Sequence, residues 1–204
     1  MELFKDLYWY PENGMMDSNT YIIIDETSVL IDPGATAYLD LLLEGMRKDG
    51  IDPKTVDLVI DTHLHPDHSG ANRAFMRASG AKLAAYKGVE SKYSSRKPSQ
   101  YFDENLNLGG VALKIFHTPG HSHESISIHW PEEKLLICGD LIFFGGVGRT
   151  DFRGGDTGLL KDSIERMSKL GLEYILPGHG EMVWGDVNVS KNFKLIKEMY
   201  LSWM

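Results

Sequence analysis

The residues best able to do chemistry crowd into one stretch, Thr62-His63-Leu64-His65-Pro66-Asp67-His68-Ser69-Gly70. Three histidines and an aspartate fall within six residues. Imidazole nitrogen and carboxylate oxygen are ligands that zinc and iron accept, and neutral imidazole is available near pH 7. His63 and His65 are two apart, so in an extended segment they point the same way. Pro66 turns the chain, and Asp67 and His68 then address a neighbouring point. The spacing therefore suits two metal ions, one on each pair. The bland alternative, a His-rich surface loop, fits the position poorly. The cluster follows Val56-Asp57-Leu58-Val59-Ile60 directly, an apolar, β-branched run too short for a helix. Side chains at the end of such a strand are held by a rigid element, which suits fixed geometry.

Three further residues join the set. His121, in Thr118-Pro119-Gly120-His121-Ser122, Asp140, after Gly139, and His179, in Pro177-Gly178-His179-Gly180, each follow or end a predicted strand beside a glycine. Glycine lets the backbone turn sharply and approach closely. Five histidines and two aspartates are enough for two metals: His63, His65 and His121 for one, Asp67, His68 and His179 for the other. Asp140 has two carboxylate oxygens and can bridge them.

The elements that position these residues alternate between strands and helices. Residues 3 to 10 are expected to form a first edge strand, and 20–25 and 28–32 two strands joined at Glu26-Thr27. The spacing of Leu39, Leu42, Leu43 and Met46 predicts a helix over 35–49, closed by Gly50. A second helix is expected over 69–79, closed by Gly80, and a short strand over 81–86. Residues 87–105 are polar and aperiodic. They read as a partly helical excursion in which Tyr93, Arg96, Lys97 and Tyr101 can meet substrate or simply face solvent. Strands return at 106–108, 111–116, 124–130 and 134–139, then a helix over 156–170, a strand over 173–176 and an amphipathic helix over 189–201.

Composition narrows the function classes. The chain has 204 residues, 42% of them hydrophobic and 25% charged, as expected for a globular protein read as a single domain over 1–204. Its net charge of −8 argues against a nucleic-acid-binding face. The single cysteine, Cys138, allows no intrachain disulfide. The first residues lack a signal-peptide pattern, and no apolar run approaches the ~20 residues of a membrane span. A cytoplasmic protein without membrane or nucleic-acid partners is the expectation, as a monomer or homodimer.

The ordered set T-H-L-H-P-D-H, T-P-G-H, G-D and P-G-H-G resembles the metallo-β-lactamase superfamily over nearly the whole chain. That resemblance implies an α/β fold, the four-layer αββα metallo-β-lactamase sandwich with metals at the sheet edges. Finer features point within the superfamily. Asp67-His68 is unlike true β-lactamases, which usually lack that histidine, and His65 stands where flavodiiron proteins carry glutamate. The segment Gly139-Asp140-Leu141-Ile142-Phe143, with Gly146-Val147-Gly148-Arg149-Thr150-Asp151-Phe152 after it, is similar to glyoxalase II-like (hydroxyacylglutathione hydrolase-like) thioesterases. It also resembles persulfide dioxygenases. Glyoxalase II loops usually carry an aromatic residue two positions after the basic one, where this chain has Asp151.

The resemblance therefore implies a metallohydrolase acting on a small-molecule thioester or ester. It would carry two divalent ions, Zn2+ and/or Fe2+ with Mn as an option, and attack with a hydroxide held between them. Asp67 would orient the nucleophile, and Asp140 would bridge and pass a proton to the leaving group. The alternative is a dioxygenase acting on glutathione persulfide or a related thiol, with a single Fe2+ on His63, His121 and Asp140. The G-D-L-I-F form and the full ligand set favour the hydrolase. A non-catalytic, metal-stabilised module is the third reading, although seven ligand-type residues exceed what a closed structural site needs. Arg149 is the candidate contact for a substrate anion, with a structural salt bridge as its alternative. His123, two after His121, can support a ligand or point at substrate. His117 and His129 read as core or edge histidines, and Cys138 as a small buried hydrophobe.

Overall fold

A computed structural model describes residues 1–92 and 97–202. The fold has two compact units, Met1–Ala112 and Leu113–Met204.

The first unit is built on a seven-stranded sheet in chain order. Its strands are β1 (Glu2–Phe4), β2 (Leu7–Tyr10), β3 (Thr20–Ile23), β4 (Val29–Ile31), β5 (Leu58–Ile60), β6 (Lys82–Tyr86) and β7 (Gln100–Phe102). A short strand, β8 (Asn105–Asn107), follows. β1 to β4 pair antiparallel, and β4 to β7 parallel. Parallel neighbours need a crossover, supplied by the helix α1 (Leu39–Lys48) and by the pair α2 (Pro66–Ser69) and α3 (Asn72–Ser79). The spacing in α1 brings Leu39, Leu42, Leu43 and Met46 onto one face, where they pack with Phe75 of α3 on Ile22, Leu30, Val59 and Leu83 of the sheet. Each such side chain contributes roughly 1.5–3 kcal/mol on full burial. Gly80 ends α3 in the left-handed conformation, φ +87°, as its place after the helix implies.

The second unit has strands β9 (Ala112–His117), β10 (Ile126–Trp130), β11 (Leu135–Gly139), the hairpin β12 (Ile142–Phe143) and β13 (Gly146–Val147), β14 (Tyr174–Pro177) and β15 (Val183–Trp184). β9, β10 and β11 pair antiparallel, β11 and β14 parallel, and β14 and β15 antiparallel. The helices α4 (Thr157–Met167) and α5 (Asp186–Ile196) set Leu160, Ile164, Met167, Val189 and Ile196 against Leu136, Cys138, Ile175 and Val183. Asp156 caps α4, its side chain accepting from the Leu159 amide at 2.9 Å.

Several element boundaries differ from the sequence expectation. The edge strand expected over 3–10 is two strands, because Asp6 adopts a left-handed φ of +69° and reverses the chain. The helix expected over 69–79 begins at Pro66, whose fixed φ suits a first helical turn, and breaks before Asn72. Asp67 and His68 thus lie inside a helical turn rather than ahead of one. The excursion over 87–105 holds a strand, β7, that its polar sequence conceals; Tyr93 and Arg96 fall outside the described residues, while Lys97 and Tyr101 are exposed. The last helix begins three residues early, at Asp186, and its final turn widens to a π-helix over Lys197–Leu201. Among the described residues no helix is long and apolar enough to cross a membrane.

Candidate metal centre

Each unit carries part of the candidate ligand set, and in each a pair of neighbouring parallel strands, β4 and β5 or β11 and β14, delivers residues of the site at its carboxyl ends. That is the position where open α/β sheets bind ligands. In the first unit the register pairs Ile31 of β4 with Ile60 of β5. The residues that follow these strands, Asp32 on one side and Asp61 to His65 on the other, are therefore brought side by side.

Asp32 organises this half. It is 1% exposed and has a left-handed φ of +54°, a conformation that aspartate tolerates better than most residues. One carboxylate oxygen accepts from the Thr62 amide at 2.7 Å. The other accepts from the Thr62 hydroxyl at 2.6 Å and meets His68 Nδ1 at 2.9 Å. A carboxylate can only accept, so His68 Nδ1 carries a proton and Nε2 presents a lone pair. The Thr62 proton is committed to Asp32, so its oxygen accepts from His63 Nδ1 at 3.2 Å, and His63 Nε2 likewise presents a lone pair. That atom lies 3.1 Å from His65 Nδ1, and the His63 ring sits 4.0 Å from that of His68. Packing imidazole nitrogens this closely is favourable only with a proton or a cation between them. The donor set fits a metal ion. Nothing in the sequence reading gave Asp32 a role beyond ending a strand. Its signal was an acid at the end of an apolar strand, followed by the Pro33-Gly34 turn.

The same turn fastens the ligand loop. Gly34 donates its amide to the His68 carbonyl at 3.0 Å, and Ala71 donates to the Gly34 carbonyl at 2.9 Å. Asp17 accepts from the Ala35 amide at 2.9 Å. A Cβ on Gly34 would lie 2.3 Å from the Asp17 carboxylate, so only glycine fits there. Below the loop, buried Asn72 donates to buried Asp61 at 2.7 Å, tying α3 to the segment that leads into the histidines. Asp67 and His65 are half-buried, and His63 and His68 are buried.

In the second unit β11 and β14 pair with Gly139 opposite Pro177, and the Gly178 amide donates to the Gly139 carbonyl at 2.8 Å. Asp140 and His179 follow these two strand ends. His121 follows β9 on a loop closed by the Thr118 amide on the Ser125 carbonyl at 2.8 Å. The structure gathers all three: Asp140 Oδ2 lies 3.4 Å from His121 Nε2 and 3.5 Å from His179 Nε2. His121 Nδ1 faces the Arg149 carbonyl at 2.7 Å. A carbonyl cannot donate, so Nδ1 does, and Nε2 meets the Asp140 carboxylate as a second acceptor. Two acceptors turned on one another again fit a bound cation.

The other candidates lie around these sets. Arg149 donates through Nε and Nη2 to the two oxygens of Asp151 at 2.9 and 2.7 Å, and its guanidinium lies 4.3 Å above the centre of the Phe152 ring. His123 is exposed, close to Gly154, and its carbonyl accepts from His117 Nε2 at 2.7 Å. Cys138 is fully buried, and burial pushes its thiol up to about 12, so it packs as an inert hydrophobe. His129 is 7% exposed, and neither ring nitrogen has a hydrogen-bond partner among the described residues.

Known proteins are similar to this chain in sequence and fold. The family model described as the metallo-beta-lactamase superfamily matches residues 13–179. A probable metallo-hydrolase of Methanocaldococcus jannaschii, MJ0888, is 34% identical over 81% of this chain and 88% of its own length. A hydroxyacylglutathione hydrolase of Francisella tularensis is 27% identical over 79% of this chain and 62% of its own. Among solved structures, TTHA1623 in a di-iron-bound form superposes with a TM-score of 0.71 at 26% identity, over 96% of this chain and 100% of the other.

Proposed function

The chain belongs to the metallo-β-lactamase superfamily, and on that premise we propose that it is a binuclear metallohydrolase of thioesters or esters, glyoxalase II-like in its chemistry. His63, His65 and His121 would hold one divalent ion and Asp67, His68 and His179 the other, with Asp140 as a further carboxylate ligand. Zinc, iron or a mixture suits this nitrogen-rich set. When bound, such ions acidify a water toward neutral pH and polarise a carbonyl.

The protein's part is orientation. Asp32, directly at His68 and through Thr62 at His63, holds the Nδ1 protons outward so that the Nε2 lone pairs face inward, and the Arg149 carbonyl does the same for His121. Asp67 orients the attacking water. Asp140, a carboxylate within 3.5 Å of two imidazoles in its own unit, would take the proton released by the attacking water and pass it to the departing thiol or alcohol. The observation that carries the proposal is that three ring nitrogens have their protons assigned outward, to Thr62, Asp32 and Arg149. That leaves lone pairs, rather than N–H groups, facing inward. A histidine cluster serving only as packing has no need of that uniform polarity. The relationship to a hydroxyacylglutathione hydrolase supports a thioester as substrate.

The test is metal content on protein purified without chelator or air, followed by a thioester panel. About two ions per chain with thioester turnover is the expected result. One iron per chain, with oxygen uptake on persulfides, would replace the proposal with a single-iron dioxygenase on His63, His121 and Asp140. Folded protein that takes up no metal would overturn both.

A further inference from the structure

The loop over 148–155 is fixed to the second half-set and carries a cation that is already engaged. Its anchor is the Arg149 carbonyl, 2.7 Å from His121 Nδ1. Gly148 has to be glycine for the loop to lie so close, since a Cβ there would sit 1.9 Å from the Asp140 carbonyl and 3.2 Å from the His121 Cβ. The far end is closed by the Gly155 amide on the Phe152 carbonyl at 2.9 Å and by a 2.8 Å hydrogen bond between the Thr150 and Thr157 hydroxyls. The Arg149 side chain thus starts on the residue whose own carbonyl contacts a candidate ligand, and runs outward, 65% exposed.

A guanidinium in that place is the natural receptor for a substrate carboxylate, because its planar fork matches two oxygens. Here the fork is filled. Asp151 takes Nε and Nη2 together, and the ring of Phe152 supports the guanidinium face. The Asp151 carboxyl is accordingly held below the usual carboxylate range by Arg149, and stays charged throughout the working pH range. A substrate carboxylate arriving here must displace one carboxylate to install another and then share the space with the anion it displaced.

We propose that Asp151 is a specificity-determining residue that withholds the Arg149 fork from anionic substrates and turns the site toward thioesters or esters whose leaving group is uncharged or cationic. The proposal rests on the hydrolase reading for its substrate class. Its geometry lies wholly within the second unit.

The test compares the zinc-loaded protein with Asp151→Asn and with the double variant Asp151→Asn, Arg149→Gln. The probes are three acetyl thioesters with one acyl group and different carriers: 3-mercaptopropionate (anionic), 2-mercaptoethanol (neutral) and thiocholine (cationic). An exposed ion pair of this kind is worth a factor of about two to five in kcat/KM. Asp151→Asn is expected to raise the anionic-to-neutral ratio by that factor and lower the cationic-to-neutral ratio, and the double variant to cancel the anionic gain. Unchanged ratios in Asp151→Asn, or a gain that survives loss of Arg149, overturn the proposal. If no thioester is cleaved, the hydrolase reading fails, and binding decides the role of Asp151 separately. Titration of 3-(methylthio)propanoate and its methyl ester, followed by NMR, should show tighter binding of the carboxylate alone in Asp151→Asn. Equal behaviour of the two proteins, including no binding by either, overturns it.

Discussion

Asp32→Asn isolates what a buried carboxylate does for histidines it never shares a metal with. The substitution keeps shape and volume, and asparagine tolerates the left-handed φ of +54°, so backbone strain does not confound the result. What changes is polarity at one atom. Asp32 Oδ2 accepts at once from the Thr62 hydroxyl and from His68 Nδ1. An amide can keep one oxygen acceptor for the Thr62 amide, but then its NH2 faces the Thr62 hydroxyl and His68 Nδ1. The hydroxyl can rotate, whereas His68 must give up its Nδ1 proton and move it to Nε2, where the lone pair is needed. Loss of such a supporting carboxylate typically weakens metal binding by about 10- to 100-fold, which is roughly 1.4–2.8 kcal/mol. In the metal-free protein the lost charge-assisted acceptor costs about 1.5–3 kcal/mol of folding stability, or very roughly 3–12 °C in Tm for a chain of this length. The assay is competition against a chromogenic chelator for affinity, with calorimetry of the metal-free forms for stability. Thr62→Val is the companion variant, since it removes the hydroxyl and leaves His68 its partner. It should weaken the site less than Asp32→Asn. Wild-type metal affinity in Asp32→Asn, whatever its Tm, would refute the assignment of His68 polarity to Asp32.

Two other perturbations have signs set by the structure. Gly120, next to His121, has φ +142°, and a Cβ there would lie 2.3 Å from the Leu160 backbone, whereas Gly171 has φ +65° with nothing within 4 Å. Gly171→Ala should therefore lose only about 1–2 kcal/mol of backbone preference, and Gly120→Ala about 1–3 kcal/mol more for the collision; equal urea midpoints would contradict this placement of α4. His129 is held below the ordinary histidine range, first by burial and then by the charge of Lys114, its cross-strand neighbour. The unfolded chain therefore takes up the proton first as pH falls: the contribution is fully present above the unfolded value near 6.5 and is lost as pH falls below it toward the folded value. His129→Phe should flatten the acid limb of the stability curve between pH 7 and 5, and an unchanged slope would place that proton uptake elsewhere.

Much of the candidate site is legible in the sequence because residue types able to hold a metal stand at strand ends, and both signals are local. The glycine beside each of His121, Asp140 and His179, with the apolar run ahead of each, marks a strand that stops and turns. The helices of the two cores were readable for the same reason, since the stripe in α1 repeats at helical spacing. Boundaries failed where one backbone angle overrides a pattern. Asp6 splits an apolar run into a hairpin, and Pro66 starts a helical turn three residues before the expected helix.

Asp32 escaped notice for a deeper reason. Its role exists only because β4 and β5 are parallel neighbours with Ile31 opposite Ile60, and pairing register is a tertiary fact that no local window contains. The same holds for His121, whose polarity is assigned by a carbonyl 28 residues away along the chain. The candidate ligands thus stand in recognisable local motifs, while the acceptors that orient His68 and His121 come from distant parts of the chain. A site of this kind tolerates many sequences around its histidines, provided that the strand register delivers an acceptor to the outer nitrogen of each. Moving Asp32 by one position after β4, with the histidines untouched, should therefore damage metal binding as severely as removing it.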